Sequence, residues 1–150
     1  MITQEELALE DLANQQVKAT RDVLHELQDL AGVDEPPQEF YWFRYVDFVR
    51  MDRYGDFECW SQGCRGAPDE RTHYDFKLDM SVIKKTEGER YEDGSQDDPT
   101  YEHDIVAFKA KLRARLIPEF NKLRAAKRAN LEATIKSSQA KLTTLQGEIQ

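Results

Sequence analysis

The sequence predicts an α+β fold: an N-terminal helix, a three-stranded antiparallel β-meander, and a long C-terminal helix kinked or broken at Pro118 with a coiled-coil-like end. Three observations predict it. Apolar residues recur at spacings of three and four before residue 32 and after residue 104, which is a helical period. Between those stretches, aromatic and β-branched residues gather in runs that suit a pleated surface. Finally, Leu and Ile between residues 131 and 149 alternate spacings of four and three, the rhythm of a coiled coil.

The first helix is predicted over 4–31. Thr3 and Glu6 make a capping box, and Ala13, Val17, Thr20, Leu24, Leu27 and Ala31 form one apolar stripe. Leu9, Val23 and Leu30 widen that stripe. Gly32 is placed to be the left-handed C-terminal cap, and Pro36-Pro37 stop the helix from continuing.

The antiparallel sheet is predicted within 40–84. Its first strand is the aromatic block from Phe40 to Met51, FYWFRYVDFVRM, with no Gly or Pro. A turn at Gly55 leads to a short strand over about 57–61, and residues 62–70 read as loop. The third strand is predicted over about 72–84, where Tyr74, Phe76, Leu78, Met80 and Val82 alternate with polar residues. Residues 86–100 read as a mobile acidic linker.

The last helix is predicted over 101–149, with Pro99 in its first turn and a stripe of Ile105, Phe108, Leu112 and Leu116, continued beyond Pro118 by Phe120 and Leu123. Pro118 removes one helical N–H, so a kink or break is expected there. Ile135, Leu142 and Ile149 fall at heptad position a, and Leu131, Ser138 and Leu145 at d; Ile at a with Leu at d favours a parallel two-stranded coil. A helix over 119–149 is about 46 Å long at ~1.5 Å per residue, longer than the ~38 Å diameter of a compact chain this size. Its end is therefore expected to project from the one domain that 150 residues predict. The order of helix, β segment and long helix resembles the layout of prefoldin-like chaperone subunits, but no motif is shared and no family follows from it.

Charge is unevenly placed. Residues 1–108 hold 26 Asp and Glu against 11 Lys and Arg, and residues 109–150 hold 3 against 10, within a net charge of −8. The basic stretch Lys109, Lys111, Arg113, Arg115, Lys122, Arg124, Lys127 and Arg128 could follow a phosphate backbone or pack on the acidic remainder of the chain. Direct nucleic-acid binding is not expected, because the charges scatter round the helix and the chain is acidic. No apolar run reaches the ~18–20 residues that span a bilayer, and the first residues carry acids where a secretory leader carries bases. A cytoplasmic protein without membrane partners is the expectation, with thiols rather than a disulfide.

Few residues suggest chemistry. Cys59 and Cys64 with His73 or His103 are weak zinc candidates, since no second ligand pair lies nearby at ligand spacing. Cys64 with His73 as base is imaginable as a thiol nucleophile, but nothing marks an oxyanion site. Two cysteines in such a segment are more often small buried apolar residues. No phosphate-cradling glycine loop or hydrolase elbow is present.

The reading that best absorbs these observations is a non-enzymatic interaction or assembly protein without a cofactor. It pairs with itself or with another protein through Leu131, Ile135, Leu142, Leu145 and Ile149. The alternative is an acidic decoy that docks Glu87, Glu89, Glu92, Asp93, Asp97 and Asp98 on a nucleic-acid-handling protein. A small zinc or thiol enzyme is the third reading.

Overall fold

The computed structural model describes residues 3–61 and 70–149, without the side chains of residues 61, 70–75, 148 and 149. Helix α1 is Gln4–Ala31. Thr3 Oγ1 accepts the Glu6 N–H at 3.1 Å while the Glu6 carboxylate accepts the Thr3 N–H at 3.3 Å, so two donors that a helix start leaves open are satisfied. Gly32 closes the helix at φ 65°, a left-handed conformation that glycine adopts without a Cβ penalty.

The aromatic block does not begin as a strand. Gln38–Tyr45 is a 3-10 helix, and only Phe48–Met51 is extended, as β1. Spacing explains the correction: Phe40, Phe43 and Val46 stand three apart and all are buried, which matches three residues per turn. A strand would have buried alternate residues instead. Trp42 stacks on Phe43 at 4.0 Å, while Arg44 lies over the rings of Tyr41 and Tyr45.

β2 (Phe57–Ser61) lies between β1 and β3 (Glu70–Phe76), antiparallel to both, with a register shift between Glu58 and Trp60 on the β3 side. The loop expected over 62–70 lies outside the described residues up to 69, and residue 70 opens β3. The run expected as one strand over 72–84 is two. β3 ends at Phe76, a short 3-10 turn occupies Met80–Val82, and β4 (Ile83–Thr86) pairs antiparallel with β5 (Thr100–His103) in a separate sheet. In place of one meander there are two small antiparallel sheets.

Gln16 of α1 gives the local reason for that break. Its amide accepts the Asp79 N–H at 2.8 Å and donates to the Asp79 carbonyl at 2.9 Å, so the backbone there pairs with a helix side chain. Asn14 does the same to β1, accepting the Val49 N–H at 2.7 Å and donating to the Val49 carbonyl at 2.9 Å. Since β1 is an edge strand, Asn14 occupies hydrogen-bonding groups that no neighbouring strand reaches.

The acidic segment is not a linker but the extended arm of the β4–β5 hairpin. The Asp97 N–H donates to Glu89 at 2.9 Å, Tyr91 donates to Ser95 at 2.9 Å, and Gly94 turns the chain at φ 87°. Asp93-Gly94 is a hairpin-turn dipeptide, a signal that outweighs the surrounding charge.

Helix α2 is Ile105–Ile149, starting after β5 rather than near Pro99. Asp104 caps it, its carboxylate accepting the Ala107 N–H at 3.0 Å. Pro118 lies inside α2 without ending it. Its ring removes the donor that the carbonyl of Ala114 would receive, but both residues are exposed, so water can serve that carbonyl.

The core forms where α1 crosses α2 and the β1–β2 face. Ala13, Val17, Val23, Leu24 and Leu27 meet Phe108, Leu112, Leu116 and Phe120 of α2, with Phe40, Phe43, Val46, Val49 and Cys59 closing it. Leu30, expected to widen the buried stripe, is 70% exposed.

Candidate interaction surface

From Arg124 through Gly147 every residue of α2 is exposed, a rod of about 36 Å at ~1.5 Å per residue. Within it Leu131, Ile135, Leu142 and Leu145 are exposed at 54, 56, 57 and 55%. Ile149 ends the same stripe, and its side chain lies outside the described residues. The stripe does not start in isolation. Where α1 ends, a groove of about 470 Å³ opens between Val33, Pro36 and Tyr41 on one side and Leu123 and Leu131 on the other. Leu123 packs on the core and Leu131 is the first stripe residue, so the exposed apolar face continues the intrachain interface.

The basic start of α2 is turned on the chain's own acids. Lys109 lies 3.6 Å from Asp22, Lys111 2.9 Å from Asp79, Arg113 2.8 Å from Glu26 and Arg115 3.6 Å from Glu39. Lys127 donates to the Gly32 carbonyl at the end of α1, and Lys122 pairs within its own helix with Glu119. These pairs are partly exposed, each worth at most about 1 kcal/mol, and they position the helix more than they stabilise it.

Glu87, Glu89, Glu92, Asp93, Asp97 and Asp98 are all exposed on the β4–β5 arm. Three of them are bound locally: the Ser95 hydroxyl and N–H hold Asp93 below its usual carboxylate range, Tyr91 donates to Asp97 at 2.6 Å, and Lys85 lies 3.5 Å from Glu87. The hairpin thus presents its carboxylates from an ordered frame.

Of the weak metal candidates only Cys59 and His103 have described side chains. Cys59 is buried in the core, Cys64 lies outside the described residues, and so does the side chain of His73. His103 touches Gln15 at 2.9 Å and Gln16 at 3.3 Å, and burial pushes its imidazole below its ordinary value. Among the described residues no three His, Cys, Asp or Glu side chains are grouped to hold a metal, and no helix is long and apolar enough to cross a membrane.

The chain matches no protein-family model, no curated protein and no solved structure. Sequence reasoning found the stripe from its period alone. It missed Asn14 and Gln16, because an amide on a helix gives no sign of a partner 35 or 63 residues away.

Proposed function

We propose that the protein is an assembly module whose projecting α2 pairs in parallel with the same helix of a second copy. The observation that carries this reading is the half-exposed stripe of Leu131, Ile135, Leu142 and Leu145 on a rod whose residues 124–147 are all exposed among the described residues. Three features favour a second copy over a foreign partner. Ile135 and Ile149 at a with Leu131 and Leu145 at d are the residue types of a two-stranded coil, with Leu142 at a and Ser138 at d departing from them. Of the flanking e and g positions, 134, 139, 141 and 146 are Thr, Gln, Lys and Gln and 132 and 148 are Glu; the g-to-e pairs 134 with 139 and 141 with 146 bring no like charges together in a parallel self-pair. The stripe also prolongs an existing helix–helix interface, so a partner helix takes up the course that α1 leaves.

Magnitude sets the expected strength. Burying the exposed half of these eight side chains in a dimer contributes roughly 6–12 kcal/mol, from about 1.5–3 kcal/mol for a whole Leu or Ile. Association itself costs about 4–15 kcal/mol. Only the favourable ends of the two ranges, about 12 against about 4 kcal/mol, leave the ~8 kcal/mol of a micromolar pair, so the pair should be reversible and should dissociate on dilution in the micromolar range or above it. In sedimentation velocity the chain should shift from monomer to dimer across that range. Ile135→Asp with Leu142→Asp should leave a monomer with an unchanged folded core; an unchanged dimer in that variant would overturn the reading.

The ordered acidic arm supports a second reading, a decoy for a basic groove on a nucleic-acid-handling protein. Salt separates the two. Exposed charges are screened within ~8 Å at physiological ionic strength, so decoy binding weakens steeply with added salt, whereas helix pairing hardly changes.

A further inference from the structure

A second concavity, independent of the projecting helix, lies between α1, the 3-10 helix and the first half of α2. It has a volume of about 350 Å³, and its walls include the rings of Phe40, Phe43, Phe76 and Phe108. A cavity of about 150 Å³ holds one benzene, so this one takes a flat body of about two rings.

Its rim is basic. Lys111 and Arg115, one turn apart on α2, stand with Lys77, which follows β3; Asp79 is the sole acid among the lining residues. Asp79 occupies Lys111 at 2.9 Å, and Glu39 lies 3.6 Å from Arg115. A guanidinium with five donors is not exhausted by one distant carboxylate. Lys77 has no ion pair among the described residues. Two other concavities differ in sign: the groove at the root of the rod carries Asp34 and Glu35 against Lys127, and the one beside β4 and β5 carries Glu102 and Asp104 against Lys84. A chain of net charge −8 therefore sets three cations round this aromatic hollow.

We propose that this cavity binds a small amphipathic carboxylate, its two-ring apolar body among the phenylalanines and its carboxylate at the rim between Lys77 and Arg115. The rings supply area and an apolar surround, and the two cations fix orientation, the usual division of labour in a small-molecule site. Lys77 and Arg115 are both exposed, so a carboxylate reaches them from solvent.

The test is a titration of the full chain with 2-naphthoate, followed by calorimetry and amide NMR, with 2-naphthamide as the neutral twin. The expected result is a Kd of about 1 mM or tighter, given ordinary ligand efficiency. Shifts should be centred on Thr20, Leu112 and Phe108, with the amide binding roughly tenfold more weakly because it lacks the charge-assisted bonds. Lys77→Ser with Arg115→Ser should bring naphthoate down to the level of the amide, circular dichroism reporting that the double variant is folded. Absence of binding at 10 mM, equal affinity for acid and amide, shifts centred elsewhere, or an unaffected double variant would each overturn the proposal.

Discussion

Gln16 has no exposed surface, and both ends of its amide are bound to the backbone of Asp79. An unpaired, partly buried amide or carbonyl costs about 1–3 kcal/mol, so Gln16→Leu, which strands both, should lower stability by about 2–5 kcal/mol. Urea unfolding should show a lower midpoint at unchanged slope. His103, which touches the same glutamine, makes stability depend on pH. Burial lowers its folded pKa, so the unfolded chain binds the extra proton as pH drops below about 6.5. The contribution is therefore intact above that value and declines on acidification towards the folded pKa. His103→Gln should flatten the melting temperature between pH 7 and 5. Asp79 acts at lower pH: the Ser81 hydroxyl, ahead of Lys111, holds its carboxyl below the ordinary value, and that stability is lost only as the carboxylate itself protonates.

At the scale of elements, the β4–β5 arm depends on Gly88. A Cβ there would lie 1.9 Å from the Asp97 carbonyl oxygen, closer than any side chain tolerates. Gly88→Ala should open the outer half of the hairpin, with faster hydrogen exchange at Asp97 while β4 and β5 keep their pairing. Asp104→Ala should cost about 1 kcal/mol through loss of the α2 cap. These elements also show what could be read from sequence. α1 was legible because its cap, stripe and terminating glycine lie within its own span. The stripes of α2 were legible for the same reason. The 3-10 helix was not, since aromatic residues suit a strand and the period of three in Phe40, Phe43 and Val46 is too short a pattern to stand out. The break after Phe76 was hidden too, because its cause sits on another helix. At Pro118, exposure decides that the helix continues, and exposure belongs to the folded chain.

The whole molecule divides into a packed body and a rod that adds nothing to the body's core. Ending the chain after Arg128 should leave the thermal unfolding of the body nearly unchanged while removing self-association, because every residue from 124 to 147 is exposed. A large loss of stability on truncation would mean the rod is covered by its own chain. The candidate surface was partly legible as a period of four and three. Whether that period is buried or bare depends on where α1 ends, and no feature of residues 131–149 encodes it. The basic start of α2 gave the converse case: its charges looked available in the sequence, yet four of them face acids of α1, the 3-10 helix and the turn after β3.

Asn14 bears on how copies of this chain avoid one another. An open sheet edge recruits strands from other molecules, and proteins block such edges with charges, bulges or covering elements. Here two side chains of α1 do so: Asn14 fills the outward N–H and C=O of Val49, and the Glu10 carboxylate accepts the Met51 N–H at 3.3 Å. Asn14→Ala would uncover a short, largely apolar template. Its consequence should appear less in the unfolding midpoint than in slow, concentration-dependent fibril formation, read as thioflavin fluorescence. Resistance of the wild-type chain in the same assay would then trace to the Asn14 carboxamide, which with Glu10 shields the edge from other copies.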